Sequence, residues 1–121
     1  MTIATRAAAA KPEETAGLLM EVFAALNPYP ESDNYLLPEP DWSWDDKKDR
    51  LRKLIAAEAF IDAAMMLVPE GFSWSVVDRR TDPHCKPCAQ LWTAKEASTK
   101  QGDAATPALA LIAAIAASKG V

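Results

Sequence analysis

The chain has 121 residues, half of them apolar and a quarter charged, with a formal net charge of −4 and a pI near 4.9. That length holds one domain around one hydrophobic core, and the composition is globular rather than disordered. An acidic balance argues against general nucleic-acid binding, which depends on Lys and Arg neutralising phosphates.

Cysteine and hydropathy narrow the class further. Cys85 and Cys88 are the only cysteines, and so short a loop is no secreted disulfide framework. No apolar run approaches the ~18 residues of a membrane span. Met1 to Ala10 is Ala-rich with one Arg and is followed at once by Lys11, Pro12, Glu13 and Glu14. It lacks the long apolar stretch of a leader peptide, so residues 1–11 are expected to be a flexible tail or an extra helical turn, and the cytoplasm is the expected location.

From Pro12 to Leu26 the pattern is helical: Leu18, Leu19, Val22, Phe23 and Leu26 form one apolar stripe. Pro12 suits a first helical position, and Asn27-Pro28 ends the run, because a residue before proline is pushed out of the α region. Residues 27–45 read as a long aromatic and acidic loop with Tyr29, Tyr35, Leu36, Leu37, Trp42 and Trp44. A structureless connection of that length is unusual in a small domain and is either pinned by its large side chains or functional. Ser43 or Asp45 caps a second helix predicted over Asp46 to Leu67. Its apolar face carries Leu51, Leu54 and Ile55, and an opposite basic face carries Lys47, Lys48, Arg50, Arg52 and Lys53.

Val68-Pro69-Glu70-Gly71 stops that helix. Phe72, Trp74 and Val76 then alternate with Ser73, Ser75 and Val77, the period of a strand. A turn over Arg79 to Lys86 and a returning strand over Cys88 to Ala94 complete a hairpin, with Trp74 and Trp92 expected in the core. A short third strand is expected within Lys95 to Ala105. Thr106 as N-cap and Pro107 at the first position open a last helix of almost pure Ala, Leu and Ile, and Gly120 fits its stop. A helix apolar all round must be covered on more than one side. It packs centrally on the sheet or forms a homo-oligomer interface. The predicted fold is α+β, a single domain over residues 1–121: two helices, a small antiparallel hairpin or sheet, and a C-terminal Ala-rich helix packed on it.

The string from Phe60 to Trp74, followed by Ala105-Thr106-Pro107-Ala108-Leu109-Ala110-Leu111, resembles small proteins of phages and prophages of the phage ABA sandwich domain type. In those, a helix ends in a Leu-Val-Pro-Glu-Gly-Trp-like turn, a Trp-bearing hairpin follows, and an Ala-Thr-Pro-Ala-Leu-Ala helix closes the fold. The resemblance covers about the last half of the chain, and Phe72 stands where the family pattern has Trp. It implies phage or prophage origin and carries no reaction.

Chemistry-bearing groups are few. His84, Cys85 and Cys88 form a His-Cys-x-x-Cys turn, and two thiolates at that spacing with an imidazole can ligate zinc. Four ligands are the norm for a structural site, so a fourth would come from Asp82 or a second copy. As a redox pair the two thiols lack a helix N-terminus to lower a thiol pKa. His84 is the only histidine, which leaves no separated Ser-His or Cys-His pair for nucleophilic catalysis. With four glycines there is no Gly-rich phosphate loop. The chain is therefore expected not to be an enzyme and to need no cofactor, zinc being the one alternative.

Tyr29, Tyr35, Trp42, Trp44, Asp45 and Asp46 form the candidate partner surface, because Trp and Tyr bury much area at little entropic cost. The leading expectation is a phage- or prophage-derived binding protein with a protein partner, and inhibition of a bacterial anti-phage defence system as its outcome. The alternatives are an oligomeric sponge for a nucleotide-like signal, held by Arg79, Arg80 or the basic residues of the second helix, and a structural protein with an intersubunit zinc site.

Overall fold

The computed structural model describes residues 2–27, 42–69, 71–77, 87–93 and 100–121. In chain order they form α1 (Ile3–Ala9), a 3-10 turn (Pro12–Glu14), α2 (Thr15–Leu26), α3 (Trp42–Ala56), α4 (Phe60–Met66), β1 (Ser73–Val77), β2 (Cys88–Trp92), β3 (Lys100–Asp103) and α5 (Pro107–Lys119). The architecture is α+β, with α5 lying on a three-stranded antiparallel sheet in the order β1-β2-β3.

Helix α5 organises the rest. The Thr106 hydroxyl accepts a hydrogen bond from the Leu109 amide at 3.2 Å, and Pro107 occupies the first position, where a missing N–H costs nothing. At the other end Gly120 adopts φ 72°. Its amide bonds to the Ala117 carbonyl at 3.2 Å and the Val121 amide to the Ala116 carbonyl at 3.0 Å, the paired closure of a Schellman motif. Every residue from Ala108 to Ala116 is buried, because α1, α2, α4 and the sheet surround the helix. A helix apolar all round is thus accounted for inside one chain. Residues 108–116 therefore offer no free face for the expected homo-oligomer interface.

The sheet packs on α5 through one set of alternating residues. Trp74 pairs with Leu91 and Val76 with Ala89 across β1 and β2, and Ala89 pairs with Gly102 across β2 and β3. Ala89 and Leu91 are fully buried, while Trp74 and Val76 are partly so and pack on the core. The other set (Ser75, Val77, Cys88, Gln90 and Trp92) is directed to the opposite side. Trp92, expected in the core, is half-buried there and outside the core cluster.

Two helical expectations need correction. Residues 1–11 include a capped helix rather than a tail. The Thr2 hydroxyl accepts from the Thr5 amide at 3.1 Å, Ala7 is fully buried, and the Ala4 amide donates to the Val121 carbonyl at 3.2 Å. Small residues on α1 and α5 let the two helices approach closely. The second predicted helix is divided: α3 ends at Ala56 and α4 begins at Phe60. Between them Glu58 takes φ 57°, its amide bonding to the Ile55 carbonyl at 3.0 Å and the Ala59 amide to the Leu54 carbonyl at 2.9 Å. This is the hydrogen-bond pattern of the α5 terminus, built on a glutamate where glycine is usual. Among the described residues no helix is long and apolar enough to cross a membrane.

Candidate functional site

Helices α2, α4 and α5 end close together. Asn27 closes α2 with its backbone amide donating to the Phe23 carbonyl at 2.8 Å, and Leu67 caps α4. Lys119 is the last residue of α5. The first turns of α3 overhang these three ends and leave a cleft of about 460 Å³.

The floor is apolar. Leu26, Met66, Val68 and Pro69 line it half-buried, with Phe23 and Leu67 beneath them. The rim is cationic: Lys47 and Arg50 from α3 and Lys119 from α5 are all exposed. Helix periodicity explains how the α3 pair arrives there. Lys47 lies four residues before Leu51, which is fully buried. Arg50 lies four before Leu54, which packs on the core. Residues four apart share a helix face, so Lys47 and Arg50 continue the face that α3 turns to the core. They become charged where that face runs past the core's edge.

The basic residues of α3 therefore do not form one face opposite the apolar stripe. Arg52 lies instead beside Ala16, Gly17 and Met20 of α2, on the far side of α3.

Electrostatics favours an anion in the cleft. Three helices bring their C-terminal ends to the cleft, and a helix C-terminus carries up to about half a negative charge. The lining holds three positive charges and no carboxylate on an otherwise acidic chain. The Lys119 ammonium lies 5.9 Å from the Phe72 ring centroid, close enough for a cation–π contact that steadies it.

A second depression of about 410 Å³ lies at the starts of α4 and α5, with Glu58 and Asp62 on its wall. Its lining has carboxylates and no Lys or Arg. Elsewhere, Arg6 of α1 and Glu21 of α2 form a two-pronged ion pair, both contacts 2.7 Å. The pair holds the Glu21 carboxyl below the usual carboxylate range through Arg6's hydrogen bonds, and raises the Arg6 guanidinium in turn. It ties α1 to α2 and is remote in role from the cleft.

Of the residues singled out from sequence, Asp45 and Asp46 stand exposed on the first turns of α3. Trp42 and Trp44 belong by backbone to that same helix rather than to a loop, and their side chains, with all of Tyr29 and Tyr35, lie outside the described residues. Cys88 is buried in β2, opposite Val77 and Asp103, whereas His84, Cys85, Arg79 and Arg80 lie outside the described residues. Among the described residues no three His, Cys, Asp or Glu side chains are grouped to hold a metal. Every buried side-chain nitrogen or oxygen there has a hydrogen-bond partner.

No family model, curated protein or solved structure matches the chain.

Proposed function

We propose that this chain is a non-enzymatic binding protein that engages a protein partner through the cleft at the ends of α2, α4 and α5. One observation carries the reading: Lys47 and Arg50 stand on the core-facing side of α3, above a half-exposed apolar floor. A desolvated apolar centre ringed by charges is the anatomy of protein interfaces. Phage or prophage origin, action in the host-cell cytoplasm and inhibition of an anti-phage defence system belong to the same proposal. They rest on the resemblance of Phe60–Trp74 and Ala105–Leu111 to phage ABA sandwich proteins.

A second reading is sequestration of an anionic small molecule. A volume of about 460 Å³ lies within the usual ~300–1,000 Å³ of ligand sites. Among the described residues the one ring in the lining, Phe23, is buried and offers no face for a base to stack on, so the protein partner is preferred. Quantitative pull-down from bacterial lysate separates the two, comparing the native chain with Lys47→Glu/Arg50→Glu and with Arg52→Glu on the far side of α3. Proteins retained by the native chain and the control but lost with the cleft variant are the expected result. An identical set on all three contradicts the reading. Stabilisation of the native chain alone by added nucleotides would favour the small molecule.

A further inference from the structure

Building on the cleft as a protein-binding site, we propose that the partner segment it takes is acidic and built around one bulky apolar side chain, with carboxylates on either side of that anchor. Charge and shape together define that segment. Lys47 and Arg50 are three apart on α3, so their Cβ atoms stand about 5–6 Å from each other on one face. A segment with two carboxylates meets that spacing one turn apart if helical. If extended, it meets it two residues apart, about 6.6–6.8 Å.

Arg50 can take a carboxylate through two parallel N–H donors, and Lys47 through one strong point contact. Lys119, held over Phe72 at 5.9 Å, supplies a third positive charge on the other side of the cleft. Between them lie Leu26, Met66 and Val68, half-buried and aliphatic, which a single large apolar side chain would cover.

Cations are not what the helix pattern alone requires at these positions. One turn further along the same face stand Leu51, in the core, and Leu54, packed against it. The lining of the cleft carries Lys47, Arg50 and Lys119 and no carboxylate, with Asp46 one turn before Arg50 on α3.

The test selects a random 12-residue peptide library against the full native chain, with parallel selections on Lys47→Glu/Arg50→Glu and on Arg52→Glu, on the far side of α3. All three substituted residues are exposed, and circular dichroism with thermal melts confirms that each variant folds as the native chain does. Expected are enriched peptides with two or more Asp or Glu close to a Leu, Met, Ile or Phe. Their binding should weaken at least about tenfold on the cleft variant and hold on the control. Peptides enriched without acidic residues, yet lost on the cleft variant, overturn the acidic segment and leave the protein-binding reading standing. Failure to enrich any peptide that distinguishes the native chain from the cleft variant overturns both.

Discussion

Gly102 of β3 and Ala110 of α5 touch backbone to backbone: a Cβ on the glycine would strike the Ala110 carbonyl oxygen and come within 2.6 Å of the Ala114 amide nitrogen. Both obstacles are helix main chain and cannot rotate away. The sheet therefore sits as close to α5 as two backbones allow, and the small residues of that helix face make the approach possible.

Gly102→Ala is predicted to destabilise the fold by about 1–3 kcal/mol, as overpacking of a rigid contact does. Gly17 on α2 is the internal control, since a Cβ there meets nothing within 4 Å. Gly17→Ala should stabilise by about 0.5–1 kcal/mol through helix propensity alone. Urea denaturation of the two variants, read against the native chain, should move the midpoint in opposite directions.

Glu58 holds φ 57° between α3 and α4, a conformation that costs a side-chain-bearing residue roughly 1–2 kcal/mol. Glu58→Gly is predicted to raise stability by about 1 kcal/mol, because glycine reaches that region without the Cβ clash. Loss of stability in equilibrium unfolding would mean that the glutamate side chain itself holds the α3–α4 junction.

Docking of α1 should depend on pH and salt. The Glu21 carboxyl is lowered mainly by the hydrogen bonds from Arg6, so its contribution is present above the ordinary carboxylate range. It is lost as pH falls through the lowered value. The raised Arg6 keeps its charge throughout that window and loses it only far into alkali. Because both side chains are more than two-fifths exposed, the effect is small and screened by added salt. The protection factor of the Ala7 amide, its exchange rate taken relative to the intrinsic rate at each pH, should fall on acidification in the native chain. In Arg6→Gln that pH dependence should flatten.

Much of the fold follows from local signals. The stripe Leu18, Leu19, Val22 and Phe23 marks α2, the alternation at Trp74 and Val76 marks β1, and Thr106-Pro107 with Gly120 brackets α5. Other features have no such signal. Alanine packs on either side of a helix, so α1 shows no stripe until Ala7 is seen against α5. The break after Ala56 is hidden because a glutamate, not a glycine, adopts the left-handed turn. The cleft was half legible. Lys47 and Arg50 stand four residues before Leu51 and Leu54, which places them on the inner face of α3. That the core ends before reaching them depends on where α2, α4 and α5 stop, a tertiary fact. Of the expected partner surface, the aromatic side chains fall outside the described residues, and the acids Asp45 and Asp46 are exposed.

The central claim is that partners enter at the cleft, and site-specific photocrosslinking tests it most directly. A photoreactive phenylalanine analogue is placed at Met66, on the cleft floor, or at Val77, an exposed position on β1, and irradiated in bacterial cells. A discrete adduct from position 66, lost when Lys47→Glu/Arg50→Glu is added and lacking from position 77, is the predicted result. An adduct from position 77 alone, or one from position 66 that survives the charge reversal, would contradict it.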